Sequence, residues 1–308
     1  MKKKQFNVAI VGTGNMAEEY IKVLNSNKNF NIIGIVGRRI NKKKYFSDKF
    51  EISNFFLNTN NLIKFQKPDL IIIATSILST FEIIKQIKNH NIYTLIEKPI
   101  GYNYTQAKEI NKILHNRKNF FVAFNRRYYS NFIYVRKQIK NDKEIFINVI
   151  DTENNYDLNK KKYPKKIRDN WMFANSIHLI DLIDYLLNDR VAKIKLIYKN
   201  DLSRSVYLQT KSGKECIYTS IWNKPGPWSI QISSKKSFYN FNNLENLEIK
   251  QGNKLINKKL KNQDKKHKPG LSLMVNDLYK LLINKKNNLK DINHSLNIMK
   301  LVNKIYDL

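Results

Sequence analysis

Three groups of residues in this 308-residue sequence have types and spacing suited to chemistry. The first is Gly12-Thr13-Gly14-Asn15-Met16-Ala17, which fits the pattern G-x-G-x-x-G/A. Gly12 permits a tight turn, Gly14 lets a pyrophosphate approach the backbone, and Ala17 is small enough for a helix to pack against a strand. The phosphates would sit at the positive end of the helix that follows. Close by, a second strand ends at Val36-Gly37-Arg38-Arg39. An acidic residue at such a strand end bonds the ribose hydroxyls of NAD, whereas arginine suits a 2′-phosphate. No Asp or Glu occurs between Glu19 and Asp48. The expected cofactor is therefore NADP or NAD, with NADP favoured. Arginines that merely stack on adenine would leave both open.

The second group is Glu97-Lys98-Pro99, directly after an apolar run, Ile92–Ile96. Open α/β sheets place their ligands at strand C-termini. Pro99 keeps Lys98 out of helical geometry, so the ammonium can point at a substrate hydroxyl. A surface turn would read the same way. The third group lies on the helical segment Ala174–Leu187. Asn175, His178 and Asp181 are three apart and share a face in a regular helix. A histidine there is suited to general acid/base work because its pKa lies near neutrality. A histidine satisfied by local hydrogen bonds is the alternative. Arg168, Trp171, Tyr156 and Tyr163 lie in or beside the irregular stretch before this helix, placed either to hold a substrate or to pack the loop down. No metal site is expected.

The elements that must position these residues follow from periodicity. Up to about residue 124 the pattern alternates strand and helix: strands at Val8–Val11, Asn31–Val36, Ile71–Ala74, Ile92–Ile96 and Asn119–Phe124, and helices at Asn15–Asn25, Ser76–Asn89 and Tyr104–Asn116. Repeated βα units imply a parallel, doubly wound sheet. After Asn125 the rhythm changes. A helix is expected over Tyr128–Lys140, a strand near Ile145–Ile150, and then six strand-like runs between Ala192 and Lys250 with short turns. Helices at Leu271–Ile283 and Ile292–Tyr306 end the chain. The fold class is α/β: a Rossmann domain over residues 1–124, then an α+β domain over 125–308 with a large open, mostly antiparallel sheet.

Apolar residues make up 42% of the chain, enough to bury a core in each domain, and a single cysteine excludes an internal disulfide framework. The basic opening Met1-Lys2-Lys3-Lys4 is followed by too short an apolar run for a signal peptide, and no stretch approaches the ~20 apolar residues of a membrane helix. A cytoplasmic protein is expected. The net charge of +31 by itself suggests nucleic acid. However, the lysines are scattered rather than gathered on one face, and Lys, Asn and Ile are enriched together, as a compositional bias of the source genome would produce. No specific nucleic-acid partner is expected. The densest basic run, Lys258–Lys268, reads as a loop.

Taken in this order, positions 12–17, 97–99 and 178–181, with Ala74-Thr75-Ser76, Phe124-Asn125-Arg126-Arg127 and the closing helices, resemble the Gfo/Idh/MocA oxidoreductases over essentially the whole chain. The resemblance implies hydride transfer between NAD(P) and a hydroxyl/carbonyl of a sugar or sugar nucleotide, including the surface-polysaccharide branch. It implies Lys98 and His178 as the proton-handling residues. It also implies Thr75, Ser76, Glu97 and Asn125 beside the cofactor, and Arg126 facing the substrate. Arg168, Trp171, Asn175 and Asp181 are further substrate candidates, and a homodimer or homotetramer is implied. Two departures stand out. Many members carry an acidic residue four before the histidine, where this chain has Ala174. Many carry Thr-Pro after the fourth strand with a histidine four beyond the proline, where this chain has Thr75-Ser76 and Thr80. The first departure keeps a second reading open: a catalytically silent nucleotide- or sugar-binding regulatory member.

Overall fold

The structure is a computed structural model that describes residues 5–154 and 163–307. Tyr156 lies outside the described residues. Contacts divide the chain into two units, one running through Asn125 and including Lys266–Asn297, the other comprising Arg126–Lys265 and the chain from Ile298 on. The segment 266–297, which the sequence pattern left with the second domain, thus packs with the first. The reason is a short strand, Lys290–Asp291, that pairs antiparallel with Phe120–Ala123 at the edge of the first sheet.

In the first unit, strands β1 (Phe6–Val11), β2 (Phe30–Val36), β3 (Phe55–Phe56), β4 (Leu70–Ile73), β5 (Tyr93–Glu97) and β6 (Phe120–Ala123) form a parallel sheet. Its order, from the Lys290–Asp291 edge, is β6-β5-β4-β1-β2-β3. Leu70, Ile71, Ile72 and Ile73 are all fully buried. That is why β4 reads as a continuous apolar run: both faces of a parallel sheet are covered. Helices α1 (Asn15–Asn25), α2 (Lys42–Phe50), α3 (Thr59–Gln66), α4 (Ile77–Ile87) and α5 (Tyr104–Ile113) connect the strands. The region holding α2, β3 and α3 carries no clear period in the sequence. Only Phe46 of α2 is buried, so the helix has no apolar stripe that would have revealed it.

The second unit holds one eight-stranded sheet. Strands β7 (Phe146–Glu153), β8 (Val191–Lys199), β9 (Ser203–Thr210), β10 (Glu215–Trp222), β11 (Ser229–Ser233), β12 (Phe238–Asn242), β13 (Asn246–Gln251) and β14 (Lys254–Lys259) lie in the order β14-β13-β12-β11-β7-β10-β9-β8. All pairs are antiparallel except β7 with β10. Buried and part-exposed residues alternate along β7, β9 and β10, as expected of a sheet covered on one face. The cover includes helix α6 (Ser130–Gln138), whose Phe132 stacks on Phe241 at 4.2 Å, and the helix Ile177–Leu187. The basic run Lys258–Lys268 is not a bare loop: β14 ends at Lys259 and a short helix spans Asn262–Lys266. Asp264 of that helix accepts a hydrogen bond from the Ser130 amide at 2.8 Å.

Candidate functional site

The first unit contains a cleft of about 780 Å³ at the C-terminal ends of β1, β2 and β4. Gly12, Thr13, Gly14, Asn15, Met16, Arg38, Arg39, Thr75 and Ser76 all line it, so nine of the residues expected beside a cofactor converge on one cavity. Lys42, Leu57 and Leu78 are among the other residues of the wall. None of these three was singled out in the sequence, because a lysine among lysines and an isolated leucine carry no local signal. Arg38, Arg39 and Lys42 give this end of the cleft three cationic side chains.

The two glycines of the loop serve different needs. Gly12 has φ of +132°, and a Cβ there would stand 2.2 Å from the Ala74 carbonyl oxygen. The chain itself requires glycine at that position. Gly14 has φ of −96°, open to any residue, and a Cβ there would meet no protein atom within 4 Å. Nothing in the chain requires that glycine. It keeps clear a space directly over the N-terminus of α1, where no side chain caps the backbone amides. A negatively charged diphosphate fits such a cradle, since it can accept those amide hydrogens and meet the helix dipole. The Thr75 hydroxyl is buried with no hydrogen-bond partner among the described residues. It too offers a polar contact that the protein does not satisfy.

Glu97, Lys98 and Asn125 lie outside the lining of this cleft. Glu97 turns its carboxylate onto the hydroxyl of Tyr20, on α1, at 2.5 Å. Burial raises its pKa, against the opposing effects of the Tyr20 hydrogen bond and the positive charges of Lys98 and Lys268. Its observed contact ties α1 to β5. Lys98 follows immediately, half-buried, with a cis peptide bond to Pro99. Asn125 donates to the Pro269 carbonyl at 3.1 Å. Lys268 reaches to 3.1 Å from Met16 Sδ in the glycine loop, so one lysine of the basic run faces the cofactor cradle.

In the second unit His178 is buried, with its ring 6.2 Å from that of Trp228. The Arg126 guanidinium lies over the same indole at 4.5 Å. Burial lowers the Arg126 pKa, with Tyr129, Glu245, Glu153 and Asp151 opposing, and its Nε is buried without a hydrogen-bond partner among the described residues. Two further candidates point elsewhere than the sequence suggested. Asp181 is fully buried and receives the Arg127 Nε at 2.8 and 2.7 Å, and Arg127 also reaches Asp184 at 2.8 Å. Asp181 is therefore corrected from a substrate contact to half of a buried ion pair. Arg127, not singled out for chemistry, is the residue that locks this helix. Arg168 is exposed on the four-residue helix Lys165–Arg168.

Asn175 does not share a regular helical face with His178. Residues Met172–Ser176 form a π turn before the helix Ile177–Leu187 begins, which changes the angle between successive side chains. Asn175 instead donates to Glu153 Oε1 at 2.7 Å, and the Trp171 indole donates to Glu153 Oε2 at 2.9 Å. Glu153 was missed in the sequence. Its signal is an acidic residue on the apolar phase of a strand, visible only once β7 is known to extend to residue 153.

Comparison with known proteins bears on the fold. Residues 6–124 match the GFO_IDH_MocA family model, described as an oxidoreductase family with an NAD-binding Rossmann fold. No curated protein matches the sequence. Among solved structures, a Gfo/Idh/MocA family oxidoreductase from Vibrio cholerae is 16% identical with a TM-score of 0.78, covering 97% of this chain and 96% of that one. UDP-N-acetylglucosamine 3-dehydrogenase from Acidithiobacillus ferrooxidans is 11% identical with a TM-score of 0.79, covering 98% and 97%. The scyllo-inositol dehydrogenase from Lactobacillus casei is 15% identical with a TM-score of 0.76, covering 100% and 96%. At these identities the likeness is one of fold. Among the described residues no helix is long and apolar enough to cross a membrane.

Proposed function

We propose that this chain, a member of the Gfo/Idh/MocA oxidoreductases through its Rossmann unit, transfers a hydride between NADP and a hydroxyl-bearing carbon of a sugar or sugar nucleotide. The observation that carries the reading is the cradle at Gly14: an uncapped helix N-terminus, a glycine the chain does not need, and a cleft that ends in Arg38, Arg39 and Lys42. The loop amides and Thr75 would hold the diphosphate side of the cofactor. The three cations would meet a 2′-phosphate, for which two guanidinium forks are better suited than an acidic residue. When bound, the nicotinamide supplies the hydride acceptor or donor. By the resemblance, Lys98 would hydrogen-bond the reacting oxygen, and His178 would take its proton on oxidation and return it on reduction. The proposal includes a cytoplasmic location and assembly into dimers or tetramers.

Calorimetry with NADP and NAD, followed by turnover assays across sugars and sugar nucleotides, tests the proposal. The expected result is tighter NADP binding and turnover of at least one sugar substrate, with Lys98→Ala and His178→Ala each losing ~10²–10⁴-fold in rate. Full activity in both variants would refute the assigned chemistry. Tight nucleotide binding with no turnover of any sugar would favour the second reading, a silent regulatory member, which Ala174 supports.

A further inference from the structure

Strand β7 departs halfway along from the pattern of its own first half. Ile147, Val149, Asp151 and Glu153 are all buried, on one face of the strand because side chains alternate. The first two are apolar and the last two are carboxylic acids. Placing two acids on a core-facing strand costs stability unless each finds partners. Asp151 Oδ2 accepts from the Tyr218 hydroxyl at 2.5 Å, whereas its Oδ1 is buried with no hydrogen-bond partner among the described residues. Glu153 takes its two hydrogen bonds from Trp171 and Asn175, on the segment that leads into the helix of His178. Tyr218 in turn meets the Tyr306 hydroxyl at 2.9 Å, and Tyr306 donates to Ser176 Oγ at 3.2 Å. The two acids are thus tied to the residues three and two positions before His178. Trp228 connects the same groups from the other side. Its indole donates to the Thr152 carbonyl at 3.1 Å, between the two acids, while its ring neighbours His178 and carries Arg126.

We propose that Asp151 and Glu153 form a carboxyl pair sharing one proton, and that Glu153 is a positioning residue that does for His178 what an acidic residue at position 174 would do. The inference rests on the reading that His178 handles the substrate proton. A hydroxyl on Glu153 donating to the Asp151 carboxylate gives Asp151 Oδ1 the donor it otherwise lacks. Two buried carboxyl groups at neighbouring positions on one strand face do not both ionise readily. Burial and the neighbouring Asp151 push Glu153 up to about 7, against the hydrogen bonds from Trp171 and Asn175. Burial likewise raises Asp151, against its hydrogen bonds and the Arg126 charge. The groups that face the pair are therefore Tyr218, Tyr306, Ser176, Trp171, Asn175 and Arg126. In the proposed oxidation the bound nicotinamide would take the hydride, and the His178 imidazole would take the proton of the alcohol. Release of the shared proton to water leaves the pair doubly negative, which favours the imidazolium formed. Reduction runs the same transfers backwards.

Two measurements test this. Infrared difference spectra of the intact protein between about pH 6 and pH 8 need no substrate. They are expected to show a protonated-carboxyl band that disappears with a midpoint near 7 and is missing in Glu153→Gln. With a turned-over sugar, Glu153→Gln is expected to lose about 10²-fold in kcat and the limb near pH 7 in kcat/KM, while nucleotide affinity measured by calorimetry stays unchanged. Glu153→Asp is expected to restore a titrating limb. Asp151→Asn, which keeps the volume, provides the same infrared comparison should the glutamine variant fail to fold. Absence of the titrating band from the wild-type protein would overturn the inference, as would wild-type rate and pH profile in Glu153→Gln. The second outcome would leave the proposed function intact. Failure of the wild-type chain to turn over any sugar would defeat that function while the infrared comparison still decides whether the pair exists.

Discussion

The cleft at the glycine loop and the His178 cluster arrange their polar groups in opposite ways. The cleft relies on the main chain. Its key elements are a glycine whose absent side chain leaves room, a helix start without a cap, and a turn that only glycine can make. The cluster relies on side chains drawn from β7, the π turn, β11's approach and the last helix, held by hydrogen bonds across up to 130 positions of sequence. A main-chain site is local and tolerates changes around it. A side-chain network is expensive to bury and couples every member to the others. The two regions should therefore respond differently to substitution.

The largest expected effect is at Arg127, which supports the cluster without belonging to it. Arg127→Met removes the guanidinium that meets the buried Asp181 carboxylate and should cost about 3–5 kcal/mol. Chemical denaturation is the check. A loss below about 1 kcal/mol would show that the ion pair is not what holds the helix.

Glu153 gives an effect of opposite sign. Its pKa in the fold, about 7, lies above its ordinary 4.5, so the fold prefers the protonated form. Its favourable contribution is complete below pH 4.5, is lost as pH rises through 7, and is absent above that. The loss amounts to at most about 3 kcal/mol at 1.36 kcal/mol per unit. Glu153→Gln should therefore raise the melting temperature at about pH 8 and leave it nearly unchanged at about pH 4. A residue that costs stability at working pH yet lowers activity when neutralised is one kept for function. A melting temperature that falls at both pH values would contradict the assignment.

In the cleft the contrast is between neighbouring glycines. Gly14→Val should leave the melting temperature within a degree or two, since its Cβ enters open space. Nucleotide affinity should nevertheless fall by about tenfold or more, equivalent to ~1.4 kcal/mol. Equal nucleotide affinity would show that no ligand uses the cradle. The smallest expected effect is at the far wall. Arg38→Ser should weaken NADP binding several-fold, an effect of about 1 kcal/mol, while sparing NAD. Equal weakening of both would mean that Arg38 stacks on adenine instead of reading the phosphate.

The cleft was legible in the sequence because each of its parts is a local requirement. The glycine spacing, the strand before it and the helix after it all lie between Phe6 and Asn25, and backbone geometry alone links them. The apolar runs of β1, β4, β5 and the strands from β8 to β13 were legible for the same reason, since period and length are short-range properties. Other features depend on contacts that span the chain. Residues 266–297 joined the first unit because a two-residue strand found an open sheet edge. Asp181 looked like a ligand contact until Arg127, 54 positions away, claimed it. Asn175 lost its place on the helical face of His178 to a π turn that no spacing rule announces. The residue types thus determined a dinucleotide-binding fold and its loop. The tertiary structure alone decided which acid is tied to the turn before the His178 helix, because a buried acid is placed by the partners that satisfy it, and those partners are distant in sequence.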